Sequence, residues 1–133
     1  MDKPLIRVVS AEISRQGCYL ITQRPAHAQL PHLWEFPGGR VRKEEDDSSA
    51  LRRALTQRIG CAGSVGEKVL EVSHEYEHYD VTMAVYRVEP AEEPMAASVA
   101  AVAWVHPDNL TDYPFPGADQ RTVDLLLSDD GEE

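Results

Sequence analysis

Two adjacent glycines stand before a predicted helix, an arrangement that suits a metal-dependent phosphate site. Gly38 and Gly39 have no Cβ, so the backbone there can approach a metal ion or a phosphate closely. Carboxylates at positions i, i+3 and i+4 of a helix share one face, and magnesium prefers such oxygen ligands. A metal held in this way neutralises phosphate charge and activates water. The chemistry to test against the sequence is therefore cleavage of a pyrophosphate bond.

The residues that follow the glycines have a specific spacing. Five residues separate Gly39 from Glu45, seven separate Glu45 from Arg53, and the helical pattern then runs to Gly60. This spacing resembles the Nudix box of the Nudix hydrolase superfamily, in particular of the MutT-like nucleoside triphosphate pyrophosphohydrolases. The segments 23–25, 33–39 and 115–119 are also typical of that group. The resemblance covers nearly the whole chain and implies the Nudix fold, an α/β/α sandwich of the α+β class with a mixed β-sheet flanked by helices.

The metal-binding half of the box departs from the family pattern. The resemblance implies glutamates at positions 54, 57 and 58, where this chain has Ala54, Gln57 and Arg58. Alanine has no donor atom, glutamine offers only a neutral carbonyl, and arginine is a cation where a cation would bind. The acidic residue that related enzymes place before a strand ending in Trp-Val is absent from residues 96–105. These substitutions predict a degenerate catalytic site without metal ligands and without confident catalytic residues.

The resemblance also assigns roles to residues that are retained. Glu45 and Arg53 match a structural carboxylate–guanidinium pair, and Arg24 matches a residue that contacts nucleotide phosphate or sugar. Asp119 matches a base-reading position, where an aspartate favours a base edge with an amino donor. The simpler alternatives are an exposed arginine for Arg24 and a helix cap for Asp119.

Arg58 and the acidic block at residues 44–47 admit further interpretations. The Arg58 guanidinium could take the place of the lost metal and bind phosphate oxygens bidentately. Alternatively, it could be a solvated surface arginine or could pair with the acidic block. The block could also supply replacement metal ligands, although Glu45 is expected on Arg53 and the aspartates favour a helix N-terminus. The predicted ligand-binding set is therefore Arg24, Gly38, Gly39, Arg58 and Asp119.

Five strands and two helices are readable along the chain. The strands are predicted at 6–13, 18–22, 65–72, 81–88 and 100–105, the second being the hairpin partner of the first through a turn at Gln16 and Gly17. One helix is predicted from Asp47 or Ser48 to a stop at Gly60, with an apolar ridge of Leu51, Leu55 and Ile59. The other is predicted at 118–127.

Length and charge limit the classes of function. The 133 residues predict a single domain at 1–127 with an acidic, disordered tail at 128–133. The formal net charge of −10 disfavours duplex nucleic acid, which needs a basic surface, but permits a small nucleotide in a locally basic pocket. No apolar run is long enough to span a membrane, and no secretory signal is evident, so a cytoplasmic protein is expected.

Three functions are consistent with this sequence. The first is a Nudix-fold protein that binds a nucleotide or nucleoside diphosphate-type molecule with little or no hydrolysis and no cofactor. The second is an active nucleoside triphosphate pyrophosphohydrolase of the 8-oxo-dGTP or CTP class, with atypical ligands for Mg²⁺. The third is a protein-interaction module or homodimer without a ligand, whose surface would be sought at residues 96–103.

Overall fold

The computed structural model describes residues 3–28 and 30–131, including all of their side chains except those of residues 128–131. Its elements are, in chain order, β1 (Leu5–Glu12), β2 (Ser14–Arg15), β3 (Cys18–Gln23), β4 (Trp34–Glu35), β5 (Gly38–Arg40), α1 (Asp47–Ile59), β6 (Gly63–Glu75), β7 (Asp80–Pro90), β8 (Ala101–Val105), a 3₁₀ helix (Pro107–Asp112) and α2 (Gly117–Gly131). The two predicted helices and five predicted strands are all present. The short strands β2, β4 and β5 and the 3₁₀ helix were not predicted.

The strands form two four-stranded sheets. The first has the order β5-β1-β7-β6, in which β1 and β7 are parallel and the other pairs are antiparallel. This sheet is mixed, as the sequence predicts. In the second sheet, β3 pairs with β2, β4 and β8, all antiparallel.

The predicted hairpin is correct at its turn and wrong in its partner strand. Gln16 and Gly17 both have positive φ, at 52° and 82°, as a tight hairpin turn between twisted strands requires. The strand that pairs with β3 across this turn is the two-residue β2, whereas β1 pairs with β5 and β7. The chain therefore passes from one sheet to the other between Glu12 and Ser14.

Helix α1 packs on one face of the first sheet. Its ridge residues Leu51, Leu55 and Ile59 are buried together with Val9 and Ala11 of β1. The helix begins after the N-cap Asp46, whose side chain accepts from the backbone N–H of Ser49. The cap therefore lies one residue before the two predicted candidates.

The C-terminus of α1 ends at Gly60, as predicted, with φ of +76°. We expect Gly60→Ala to lower the free energy of unfolding by about 1–2 kcal/mol, because an L-residue is strained in this region. A Cβ there would also lie 3.0 Å from Cγ of Met95. Gly17→Ala is the control, since Gly17 has a similar φ of +82° and open space around it. Chemical denaturation of both variants separates backbone strain from the Met95 contact, and an unchanged Gly60→Ala protein would contradict the strain argument.

Helix α2 covers the opposite face. Val81, Met83 and Val85 of β7 point towards its first turn and are buried with Ala118, while Ala84 and Val88 face α1. This confirms the alternation read from the sequence of this strand. The two helices therefore enclose the first sheet as an α/β/α sandwich.

Helix α2 extends through Gly131, four residues beyond its predicted end. The side chains of 128–131 and residues 132 and 133 lie outside the described residues, so the disordered tail stays a prediction. None of the helices described is long and apolar enough to cross a membrane.

Candidate functional site

The glycine loop contacts α1 directly. A Cβ placed on Gly39 would lie 3.0 Å from Cβ of Ala54 and 3.6 Å from Nη2 of Arg58. Ala54 is 1% exposed, Arg58 is partly exposed and Gln57 is exposed. The helix therefore presents a methyl group, an amide and a guanidinium around the place where it meets the loop. This donor set does not suit magnesium, which is held by carboxylate and other oxygen ligands.

Glu45 and Arg53 form a bidentate pair that ties the loop to the helix. Arg53 Nε donates to Glu45 Oε2 at 2.9 Å, and Arg53 Nη2 donates to Glu45 Oε1 at 2.8 Å and to the Arg40 carbonyl at 2.9 Å. The Glu45 carboxylate also accepts from the Arg42 N–H at 2.9 Å. The hydrogen bond from Arg53, followed by that from Arg42, lowers the pKa of Glu45 to about 2. The predicted pair is therefore in contact, and its role in orienting the helix stays a prediction.

The acidic block does not converge into a metal site. Besides Glu45, Asp46 caps α1, and Asp47 accepts from Arg7 and from the hydroxyl of Tyr86. Three of the block's four carboxylates thus have protein partners. Among residues 3–28 and 30–131, no group of three His, Cys, Asp or Glu side chains is placed to hold a metal ion.

Arg58 pairs with Glu35. The alternative in which Arg58 pairs with the acidic block is therefore wrong. Glu35 Oε2 lies 3.5 Å from Arg58 Nη1, and Glu35 Oε1 accepts from Arg24 Nη1 at 2.9 Å. The Glu35 side chain is 13% exposed and the Arg58 side chain 35%. The Glu35 carboxylate therefore lies between two guanidinium groups. Arg24 directly follows β3, and Arg58 lies in the last turn of α1.

Glu35 is the site residue that sequence reasoning missed. It lies in the two-residue strand β4, where Glu35 pairs with Thr22 of β3. Two residues carry no readable periodicity, so the strand gave no signal in the sequence. The resemblance includes the segment 33–39 but assigns no role to its carboxylate.

A cavity of about 170 Å³ opens on the α2-facing side of the first sheet. Ile6, Val8, Val81 and Met83 form its apolar wall, and Phe36 lies on the same cavity. Its polar lining includes Arg24, Glu35, Gly38, Gly39, Arg40, Arg58 and Asp119. The structure thus brings all five residues of the predicted ligand-binding set to one cavity.

Asp119 lies in the first turn of α2 and is 4% exposed. Its Oδ1 accepts from the backbone N–H of Phe36 at 3.2 Å, which joins the helix to the segment between β4 and β5. Burial raises the pKa of Asp119 well above its ordinary value, and the negative charge of Glu35 raises it further. A protonated Asp119 can both donate and accept hydrogen bonds in the cavity.

Tyr76 and Tyr79 close the same cavity near the start of α2. Their rings stack with centroids 5.0 Å apart, and the Tyr76 hydroxyl accepts from the backbone N–H of Ala118 at 3.1 Å. Burial raises the pKa of Tyr76. The apolar and aromatic surfaces suit a flat ring, and the arginines lie elsewhere on the cavity lining.

A second cavity, of about 280 Å³, lies on the other side of the arginines. It is lined by Arg24, Pro25, His27, Ala28, Glu35, Gln57, Arg58, Ser98 and Val99. Ser98 is held there because the backbone N–H groups of Ala97 and Ser98 donate to the Arg58 carbonyl at 3.1 and 3.2 Å. Part of the segment 96–103, where a protein-interaction surface would be sought, therefore caps the C-terminal end of α1 and borders this cavity.

Comparisons with known proteins agree with this architecture. The family model described as the NUDIX domain matches residues 8–125. The chain is 34% identical to a CTP pyrophosphohydrolase of Escherichia coli, with 93% of each chain covered. It is 30% identical to an 8-oxo-dGTP diphosphatase of Haemophilus influenzae, with 97% and 96% covered. The solution structure of the E. coli ORF135 protein matches with a TM-score of 0.82 and 31% identity, over 95% of this chain and 91% of that one.

Proposed function

The chain belongs to the NUDIX domain family, and on that premise we propose that it binds a nucleotide-type ligand and hydrolyses it little or not at all. The observation that carries this proposal is the position of Arg58. Its guanidinium lies beside the glycine loop, at the helix position where the family pattern has a metal-binding glutamate. A cation fixed there attracts phosphate directly and supplies no activated water.

The local charge supports an anionic ligand in spite of the acidic chain. Arg24, Arg40 and Arg58 line the first cavity, and of the two acids there Asp119 has a raised pKa. Cations with low-dielectric walls focus a positive potential into a cleft even when the net charge of the chain is −10. The aromatic and apolar wall would accept the nucleoside, and the arginines would accept its phosphates.

The donor set around Ala54 supports weak or absent hydrolysis. Metal assistance contributes several kcal/mol to the transition state of pyrophosphate cleavage. Losing about 5 kcal/mol would lower the rate by between three and four powers of ten. Glu45 and Arg53 would still hold the loop on the helix, so the binding surface would persist without the metal.

The relatives indicate which ligands to test first. Those named above are a CTP pyrophosphohydrolase and an 8-oxo-dGTP diphosphatase. We therefore propose that the ligand class is a nucleoside triphosphate or diphosphate with a pyrimidine or an oxidised purine base. Asp119 would contact the base edge in this arrangement, since it faces the cavity from the first turn of α2.

We expect isothermal calorimetry in EDTA to detect binding of CTP or 8-oxo-dGTP, and magnesium to change the affinity little. Arg58→Glu should weaken binding by at least about ten-fold, because charge reversal removes a phosphate partner. Arg52→Glu is the matched control, since Arg52 lies exposed on the same helix and donates to Ser48. Equal affinities of the wild type and Arg58→Glu would refute the role of Arg58.

The names of the relatives also favour an active enzyme as the second candidate. A pyrophosphate-release assay over common and oxidised nucleotides, with magnesium or manganese, decides between the two. Turnover that requires metal and survives Arg58→Gln would replace our proposal. Release no greater than in the absence of protein, across all nucleotides, would support it.

A further inference from the structure

Three residues are common to the two cavities of the site: Arg24, Glu35 and Arg58. The first cavity has an apolar wall that suits a base and sugar, whereas the second contains His27, Gln57 and Ser98. An extended ligand with a ring at one end and phosphates at the other would have to pass these three residues. The junction is therefore where the charge of such a ligand is recognised.

A carboxylate already occupies that junction. Glu35 contacts one arginine through each of its oxygens, at 2.9 Å to Arg24 and 3.5 Å to Arg58. Carboxylates and phosphates are the two groups that match the planar guanidinium fork. The Glu35 carboxylate thus presents to the arginines the same kind of oxygen pair that a phosphate would present.

The two contacts differ in length, which indicates where the bridge would open. The Arg24 contact has the length of a charge-assisted hydrogen bond, while the Arg58 contact is an ion pair without that geometry. Within the part of the chain described, this ion pair is the one polar contact of the Arg58 guanidinium. Most donors of Arg58 are therefore left for a ligand.

The charge of Glu35 also acts on the second acid of the first cavity, Asp119. Burial raises the pKa of Asp119, and the negative charge of Glu35 raises it further. The two contacts and the negative charge of Glu35 favour a role for this residue in controlling whether a ligand can reach the arginines.

We propose that the Glu35 carboxylate is an internal competitor that engages Arg24 and Arg58 in the ligand-free protein and is displaced from Arg58 by a phosphate group of the ligand. The proposal deepens the proposed function and rests on it for the nature of the ligand. It makes Glu35 a determinant of affinity, because binding must first break the Glu35–Arg58 ion pair. A dianionic phosphate takes the place of the Glu35 carboxylate at Arg58, while Arg24 keeps its hydrogen bond to Glu35.

The test is the affinity of inorganic pyrophosphate, measured by calorimetry in EDTA and at low salt. Glu35→Gln keeps the size of the side chain and an acceptor for Arg24 but removes the competing charge. We expect this variant to bind pyrophosphate about ten-fold more tightly than the wild type. The matched control is Glu12→Gln, because Glu12 is also a buried glutamate paired with an arginine, Arg87, at 3.2 Å, and lines neither of the two cavities.

An affinity of Glu35→Gln equal to or weaker than that of the wild type overturns the proposal. An equal gain in Glu12→Gln also overturns it, since the effect would then come from net charge alone. If Glu35→Gln does not fold, as judged by its melting curve, Glu35→Asp is used, because it withdraws the carboxylate from Arg58 by one methylene. That variant should tighten binding by about three-fold, and no change in it would likewise overturn the proposal.

The failure of this proposal is distinguishable from that of the proposed function. A wild type that binds nucleotide, with no gain in Glu35→Gln, refutes the internal competitor alone. A wild type that binds neither nucleotide nor pyrophosphate, with a Glu35→Gln variant that binds pyrophosphate, supports the competitor and refutes nucleotide binding by the native chain. Absence of binding in all variants refutes both.

Discussion

The combined substitution Ala54→Glu, Gln57→Glu and Arg58→Glu is expected to make both the stability and the activity of this protein depend on magnesium. The three positions share one face of α1 by their i, i+3, i+4 spacing. The glycine loop opposite them and the Glu45–Arg53 pair are already in place. The substitutions would supply the carboxylates on a helix that is otherwise correctly oriented.

The stability effect follows from the burial of residue 54. Ala54 is 1% exposed and lies 3.0 Å from a Cβ built on Gly39, so a glutamate there must place its charge against the loop. Three clustered carboxylates without a cation repel one another and lose solvation, which lowers the melting temperature in EDTA. Magnesium at one hundred times its Kd would raise the free energy of unfolding of the triple variant by about 2.7 kcal/mol. For a domain of this size that corresponds to about 10 °C, whereas the wild type should not respond.

Activity is the second measurement on the same protein. Recovery of metal assistance should raise pyrophosphate release by about three powers of ten over the wild type. The control is Ala54→Gln with Arg58→Gln, which together with Gln57 gives polar neutral groups at all three positions. Neither the melting temperature nor the activity of this control should respond to magnesium. A triple variant whose melting temperature ignores magnesium would contradict our account of the helix face. Metal-dependent stability without activity would instead indicate that the missing acid in residues 96–105 is also needed.

The fold was predictable where a single segment carries its own pattern. The ridge of Leu51, Leu55 and Ile59, the stop at Gly60 and the alternation in β7 are periodic signals within one element, and the structure confirms each of them. The Nudix fold is implied by the spacing within the box and by short segments typical of the family, none of which requires knowing which strands pair. These features specify the helices and the longer strands.

The remainder depends on which segments meet. The pairing of β1 with β7 joins residues about 75 positions apart, as in Leu5 with Asp80, and no local pattern announces it. The same applies to Glu35, whose importance arises from Arg24 and Arg58 converging on it from separate elements. The sequence could place both arginines in a site, but only the assembled structure shows that a carboxylate lies between them.

A second large effect is expected from Asp119→Asn, in the dependence of stability on pH. Burial, and then the charge of Glu35, raise the pKa of Asp119 in the folded protein well above the unfolded value of 3.8. The folded state therefore holds this proton more tightly than the unfolded chain does. The resulting stabilisation is complete below pH 3.8 and is lost as the pH rises through the folded pKa. Within that window this residue lowers the free energy of unfolding by up to about 1.4 kcal/mol per pH unit.

Asparagine removes this dependence while it keeps the shape of the side chain. Its carbonyl can still accept from the Phe36 N–H, and its amide stands in for the protonated oxygen. We expect Asp119→Asn and the wild type to be equally stable near pH 4, and the variant to be increasingly more stable towards pH 8. Urea denaturation at a series of pH values measures this difference.

The comparison with the wild type is needed because other acids act in the opposite direction. Glu45, with a folded pKa of about 2, contributes stability that is present above its unfolded pKa of 4.5 and is lost as the pH falls towards 2. Subtracting the two profiles cancels Glu45 and leaves the contribution of residue 119. Asp112→Asn, the same substitution at an exposed aspartate that lines neither cavity, is the control, and the effect at residue 119 must exceed the effect of this control.

The outcome at Asp119 also bears on the ligand. If the difference between Asp119→Asn and the wild type grows up to neutral pH, Asp119 is protonated in much of the folded protein and adds no negative charge to the cavity. Three arginines then line the cavity with Glu35 as its one other acid, and this excess of cations favours an anionic ligand. A difference that is flat from pH 4 to pH 8 would mean an ordinary, ionised Asp119. The cavity would then hold two acids, and phosphate binding would have to overcome both.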